Sequence, residues 1–195
     1  MACIPLTSID SSDVCEESFG GLGSSAWIFV HDDLDPEHPL SLIEDEDGVE
    51  TAVYQWEANT LKPGAYLYKV QLKPNSQGIT GESNGSNKGF KQTGQFIIDT
   101  TNPNVSRFLR ALNNRHGYWG IIVNDGQKYQ VMYTKGEALT LDAGALKTET
   151  GNASSDDRQT TLAPVLDKAL FPETYIEFPK TEGKTGSPDD YLKKG

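Results

Sequence analysis

The chain has 195 residues, of which 36% are hydrophobic, and its formal net charge is -11. That length suits a single domain with a substantial core. The acidic balance argues against sequence-independent binding of DNA or RNA, because such binding depends on lysines and arginines that displace counterions from phosphates. No window approaches the roughly 20 apolar residues of a membrane-spanning helix, so we expect no membrane span.

An irregular N-terminal arm is predicted for residues 1–23, which mix serine, acidic residues and glycine. The arm contains Cys3 and Cys15, the only cysteines of the chain. Its start has neither the basic residues nor the apolar core of a secretory signal, so we expect synthesis in a cytoplasm and two reduced thiols. A disulfide between the two cysteines is the alternative.

A β domain is predicted for residues 24–178. Its first half is expected to contain strands at 26–30, 53–56, 65–73 and 90–98, with long loops at 31–50 and 74–89. Strand 65–73 alternates, which places Lys69 and Gln71 on a solvent-facing side. We expect it to form a hairpin with strand 90–98, whose tip, the loop 74–89, serves as a contact arm. A mobile tip is the alternative.

One helix is predicted at about 103–116, because Asn102 suits the capping position and Pro103 the first helical position. Its apolar stripe follows helical spacing: Val105, Phe108, Leu109 and Leu112. Gly117 is placed to end it. Beyond the helix, the pair Asp125-Gly126 between two apolar runs predicts a tight hairpin.

The remaining strands are predicted within 139–150, 159–166 and 174–178, and residues 179–195 are predicted to be a flexible polar tail. Pro164 falls inside the expected penultimate strand. Because proline cannot donate to a ladder, it indicates a sheet edge or a bulge there.

Catalytic and metal-binding patterns are weak, and we predict neither an enzyme nor a cofactor. His31, Asp33 and His38 lie in the acidic loop, but without the ordered spacing of a metal site. We therefore expect no metal site, with a metal-dependent hydrolase as one alternative. Another is a carbohydrate-binding β-sandwich, in which Trp27, Trp56 and Trp119 form a platform for sugars.

Several pieces of the chain follow one another in a recognisable order. They are Met1-Ala2-Cys3 with Cys15, the step Gly20-Gly21-Leu22 into the Trp27 strand, the strand pair around 74–89, the helix at 103–115, and the hairpin of Ile121 to Gly126. Their order resembles the tail-tube fold of bacteriophage structural proteins, particularly those of phages that infect Bacteroidetes, including crAss-like phages.

This resemblance implies a mainly β fold, an antiparallel β-barrel or sandwich with one flanking α-helix, whose sheets join between copies. It implies a virion structural protein of the tail, assembled in the host bacterial cytoplasm, that forms a ring or tube through which DNA passes. The expected partners are other copies in a ring of roughly six or twelve, other tail or neck proteins, and DNA in transit. A tail-completion or neck adaptor ring is the alternative, favoured by the long acidic loop 31–50, whose binding of a cation stays open.

By the same resemblance, residues of the long hairpin and two aromatic anchors form the interface between copies. The expected set is Pro74, Asn75, Gln77, Ile79, Asn84, Asn87, Phe90, Trp27 and Trp119. Lys69 and Gln71 are expected to face the channel.

Overall fold

The computed structural model describes residues 22–85, 89–98, 100–126, 128–150, 158–180 and 185–193. These residues form a mainly β protein with one α-helix, as the sequence predicts. The strands are β1 (Ser25–Val30), β2 (Ser41–Glu44), β3 (Glu50–Gln55), β4 (Tyr68–Gln71), β5 (Gly78–Ser83), β6 (Phe90–Ile98), β7 (Trp119–Asn124), β8 (Tyr129–Met132), β9 (Leu146–Glu149), β10 (Gln159–Leu162), β11 (Val165–Ala169) and β12 (Tyr175–Glu177). The helix is α1 (Pro103–Asn113), and short 3-10 helices lie at His31–Asp33 and Pro188–Tyr191.

The strands form two sheets rich in antiparallel pairs. The first sheet has the order β2-β3-β12-β8-β7-β1-β4, and only its β12–β3 pair is parallel. In the second sheet, β6 pairs with β5 along one edge and with β11 and β10 along the other, and β9 pairs with β10. Within the described part of the chain neither sheet closes into a barrel.

The first sheet is buried on both faces at its centre. Strand β1 alternates Ala26 and Ile28 on one face with Trp27 and Phe29 on the other, and all four side chains are buried. The first core cluster lies between this sheet, α1 and the second sheet, and includes Ile28, Trp119, Ile121, Phe96, Leu112 and Leu162. The second cluster lies on the opposite face and is largely aromatic: Trp27, Phe29, Tyr54, Trp56, Tyr133 and Phe178.

Local sequence signals explain the helix and the turn that ends it. The Asn102 side chain accepts a hydrogen bond from the Val105 amide at 2.9 Å, while Leu109 and Leu112 bury one face in the first cluster. The helix ends at Asn113, three residues before the predicted end, and Gly117 then adopts a φ of 81°. A side chain there would collide with the Leu139 carbonyl oxygen, so the turn requires glycine.

The predicted hairpin is confirmed. Strands β7 and β8 pair in antiparallel register out to Asn124 and Tyr129. In the turn, the Gly126 amide donates to the Asn124 side chain at 2.7 Å, and Gly126 has a φ of 100°. Asp-Gly supplies the positive φ that such turns need.

The predicted hairpin between strands 65–73 and 90–98 is wrong. Strand β4 is the outer strand of the first sheet, and β6 lies in the second. The partner of β6 is β5, which falls inside the predicted loop 74–89 and pairs from Gly78 with Gln95 to Ser83 with Phe90. Strand β5 is polar and largely exposed, so the sequence has no apolar alternation to mark it.

Two other predicted boundaries need correction. The loop 31–50 contains β2, an outer strand that pairs with β3. The predicted strand 159–166 is two strands, β10 and β11, separated around Pro164, whose carbonyl oxygen accepts a hydrogen bond from the Gly94 amide at 2.9 Å. Proline has no amide hydrogen to donate, and Pro164 can be accommodated because it lies at the corner between β10 and β11 and not within a strand.

The tail prediction is wrong for residues 185–193, which pack onto the first sheet. Ser187 and Asp190 form a reciprocal capping box around the 3-10 helix Pro188–Tyr191. Tyr191 and Leu192 then lie against the second cluster. The prediction rested on polar composition, but two apolar side chains and a cap are enough to hold a short segment once a partner surface exists.

Candidate functional site

The outer strand β4 has one paired side and one open side. Its inner side pairs with β1, from Ser25 with Gln71 to Ile28 with Tyr68. On the outer side, the Leu67 amide donates to the Tyr191 carbonyl at 2.9 Å, and the Lys73 amide donates to the Ile97 carbonyl at 2.7 Å. Backbone groups alternate in direction along a strand, so those of Lys69 and Gln71 point to this outer side too. In the described part of the chain no strand pairs with them there.

An apolar groove of about 650 Å³ runs beside this open edge, between β4 and α1. Its lining includes Tyr68, Val70, Ile98, Val105, Phe108 and Leu192. Tyr68, Val70, Val105 and Phe108 are half-buried and pack against the first core cluster. The floor of the groove is therefore a continuation of the core that the described residues leave uncovered.

The C-terminal segment closes one end of the groove. Leu192 forms a parallel bridge with Leu67, immediately before β4 begins. The Lys193 ammonium group lies 5.6 Å from the centre of the Tyr66 ring. The bridge shows that a backbone segment running parallel to β4 fits on this side of it.

A charged node anchors the other face of β4. Asp189 accepts hydrogen bonds from the Trp27 indole at 2.7 Å and from the Lys69 ammonium at 3.0 Å. The same ammonium lies 5.3 Å from the centre of the Trp27 ring. This node joins β1, β4 and the C-terminal segment, and it leaves the groove itself lined by apolar side chains.

Lys69 and Gln71, the residues expected to face a channel, are both exposed on β4. Their side chains lie on the face opposite to Tyr68 and Val70, because side chains alternate along a strand. Which surface faces a channel stays a prediction.

The predicted interface residues of the long hairpin are spread over different environments. Pro74 and Asn75 are exposed in a turn. Gln77 is 8% exposed and donates to the carbonyl oxygens of Leu22 and Gly23. Asn84 donates to the Asp167 carbonyl at 2.6 Å, while Ile79 and Phe90 pack against the first cluster. Asn87 lies outside the described residues. Contact of this hairpin with another copy stays a prediction.

The predicted aromatic anchors Trp27 and Trp119 are corrected to core residues. Their exposed fractions are 4% and 0%, and that of Trp56 is 0%. Side chains that are at most 4% exposed offer almost no surface to another copy or to a sugar while this fold is intact. The sequence could not separate these roles, because tryptophan in a strand suits both a core and an interface.

The histidines and acids of 31–50 do not come together as a site. The His31 ring packs against Phe29 and Tyr133 of the second cluster and against Tyr118. Its burial lowers the pKa of His31, against a smaller opposing effect of the Asp32 charge. His38 instead lies 3.7 Å from the Glu57 carboxylate. Among the described residues, no group of three or more histidine, cysteine or acidic side chains is placed to hold a metal ion.

The groove is the feature that sequence reasoning missed. The sequence shows the alternation that includes Tyr68 and Val70 and the helical stripe that includes Val105 and Phe108, and both patterns are typical of side chains that face a core. Their partial exposure depends on the placement of β4 at the sheet edge, which local patterns do not determine.

Comparison with known proteins adds no relative to this picture. No protein-family model matches the chain, and no curated protein or solved structure matches it either. Within the described residues, no helix has the length and apolar character that crossing a bilayer requires.

Proposed function

We propose that this protein is a structural subunit of a bacteriophage tail, which assembles by extension of its sheets into a ring or tube through which DNA passes. The observation that carries the proposal is the open backbone edge of Lys69 and Gln71 beside an uncovered apolar groove. The mainly β fold with one helix is of the class that the resemblance implies. Two finer assignments are part of the same proposal. The fold would be a sandwich of the tail-tube type, and the assembly would be a tail tube or, as the alternative, a neck ring.

An open strand edge is a template for pairing with another chain. The first sheet ends in such a strand at β4, which has four residues. A contact in which the β4 edge of each copy pairs with a different surface of the next copy is heterologous, and it forms a ring when the rotation closes. The geometry therefore offers a route from one subunit to a closed assembly.

The charge of the chain supports the second part of the proposal. At a net charge of -11, the surface repels a DNA polyanion more than it binds it. A passage lined by such subunits would let a genome slide without adhering to it. Passage of DNA would therefore explain the acidic composition, which packing of the core and the presence of the groove do not explain.

Electron microscopy of the purified full chain tests the proposal, together with light scattering to measure its mass. Rings with a central opening, or incorporation of the chain into tail structures of phage particles, are the expected results. A chain that remains monomeric at high concentration and never enters particles would refute it.

The substitution Val105→Glu places a carboxylate in the groove and is expected to reduce assembly strongly, because a buried unpaired charge is costly. Ser106→Glu is the matched control, since Ser106 is exposed on the same helix and does not line the groove. It is expected to assemble like the wild type.

A further inference from the structure

We propose that the groove beside β4 binds residues 4–7 of a second copy of this chain, added as a parallel strand to the open edge. This inference rests on the proposed assembly function and names the contact that joins two copies. Ile4 and Leu6 would occupy the apolar groove, and the backbone on either side of Pro5 would pair with Lys69 and Gln71.

The shape of the groove favours an extended segment over a folded sheet edge. One wall is β4 and the other is α1, whose Val105 and Phe108 lie opposite Tyr68 and Val70. A single added strand uses main-chain bonds to β4 and inserts alternate side chains between the walls. The edge strand β2 of another copy arrives with β3 attached to it, which makes it a poorer fit for a walled groove.

The sequence outside the described residues identifies the segment. Those stretches are 1–21, 86–88, 151–157, 181–184 and 194–195, with single residues at 99 and 127. Only residues 1–21 contain isoleucine, leucine, valine or phenylalanine. Within them, Cys3-Ile4-Pro5-Leu6-Thr7 is the stretch in which large aliphatic residues alternate, as one buried face of a strand requires.

Pro5 selects the parallel orientation. In a parallel pair, the residue opposite Lys69 points its own amide position away from β4, while its two neighbours make the bonds. With Pro5 opposite Lys69, the missing amide is not needed, and Leu6 donates to the Lys69 carbonyl. Ile4 and Leu6 then share the face of Tyr68 and Val70, which is the groove face. In an antiparallel strand with Ile4 and Leu6 in the groove, Pro5 would again lie opposite Lys69. There it would have to donate an amide hydrogen to the Lys69 carbonyl, which proline cannot do.

The chain between this segment and the described fold is long enough to reach a neighbour. Residue 22 lies at the Gln71 end of β4, where Gln77 donates to the Leu22 carbonyl at 2.9 Å. Residues 8–21 span up to about 46 Å when extended. If each copy inserts its arm into the groove of the next copy, the same contact can repeat around a closed ring.

Disulfide trapping between two different variants tests the source of the segment. In a background of Cys3→Ser and Cys15→Ser, one protein carries Thr7→Cys and the other carries Gln71→Cys, which would face each other in this register. Mixing them under mild oxidation is expected to give a mixed disulfide dimer as the main product. With Ser106→Cys in place of Gln71→Cys, only background cross-linking is expected.

The outcomes separate three cases. A mixed dimer no more abundant than the Ser106→Cys control overturns the inference. So does a cross-link that forms only when Thr7→Cys and Gln71→Cys are on the same chain, because the arm then lies in its own groove. Deletion of residues 1–21 that leaves rings intact refutes the arm contact but not the proposed function, whereas a monomeric full chain refutes the function itself.

A labelled peptide of residues 1–12 gives a second readout on the full-length Leu6→Asp variant, whose own arm carries a carboxylate and should leave the groove free. Binding is expected, and Leu6→Asp in the peptide should weaken it by about tenfold or more, since a carboxylate would enter an apolar site. Pro5→Ala should bind about as well as the native peptide, because that amide faces outward. No binding of the native peptide would overturn the inference.

Discussion

His31 lies in an environment that is unusual for a histidine, among aromatic rings. Its ring centre lies 5.1 Å from that of Tyr133 and 5.8 Å from that of Tyr118. Its Nε2 atom is buried without a hydrogen-bond partner among the described residues. Because burial lowers its pKa, the folded protein holds this ring neutral.

Replacement of His31 with Phe is expected to make the fold less sensitive to acid. The unfolded chain takes up the proton near pH 6.5, while the folded chain does so only at lower pH. The stability that His31 contributes is therefore complete above that pH and is lost as the pH falls below it. Urea unfolding from about pH 7 to about pH 5 should show His31→Phe gaining stability relative to the wild type as the pH falls.

Measurements at about pH 8 are the internal control, because there the His31 ring is neutral in both the folded and the unfolded chain. In that range the stability difference between the two proteins should not change with pH. Parallel pH profiles of the wild type and His31→Phe would contradict this account of the buried ring.

Gly117 gives a second prediction at the level of one residue. Gly117→Ala should destabilise the fold by about 2 kcal/mol or more, since it combines a positive φ with a collision against the Leu139 carbonyl. Gly126→Ala has the same backbone strain but open space around it, so a cost of about 1 kcal/mol is expected. Equal free energies of unfolding for the two variants would show that the collision is relieved by movement.

At the level of elements, the sequence predicts those parts that local chemistry determines. Helix α1 has its cap, its apolar stripe and its stopping glycine within 16 residues, and the β7–β8 hairpin has its Asp-Gly turn. Strands β2 and β5 could not be predicted in the same way. Each lies at a sheet edge with few buried side chains, so its conformation depends on pairing with β3 or β6 rather than on its own residues.

The C-terminal segment is the clearest case of structure imposed by distant partners. Its polar composition resembles a tail, yet the Tyr191 ring lies 5.4 Å from that of Trp56 and 5.9 Å from that of Phe178. The candidate groove shares this property. Its apolar residues are visible in the sequence, but their exposure arises only when β4 takes the outer position.

Tyr191→Ala is therefore expected to destabilise the fold by about 2 kcal/mol, because it removes an aromatic side chain from the second cluster. Tyr118→Ala is the matched control, since that ring is 49% exposed, and its cost should stay below about 1 kcal/mol. Thermal or urea unfolding measures both. A loss no larger than that of the control would mean that residues 185–193 do not pack as described.

At the scale of the whole molecule, the two faces of the first sheet differ in how completely they are covered. The aromatic face is covered in part by the C-terminal segment. The opposite face is covered by α1 and the second sheet, except where the groove opens between α1 and β4. The open edge and the uncovered core surface thus coincide at one place, where one added strand would satisfy both.

Amide hydrogen exchange at Lys69 and Gln71 tests this claim most directly. In the assembled wild-type protein, we expect exchange of both amides to be slowed at least about tenfold relative to the Val105→Glu variant, because a bonded amide exchanges only on local opening. The amides of β7, paired on both sides, should exchange slowly in both proteins. Fast exchange of Lys69 and Gln71 in assembled rings would contradict the claim that this edge joins one copy to the next.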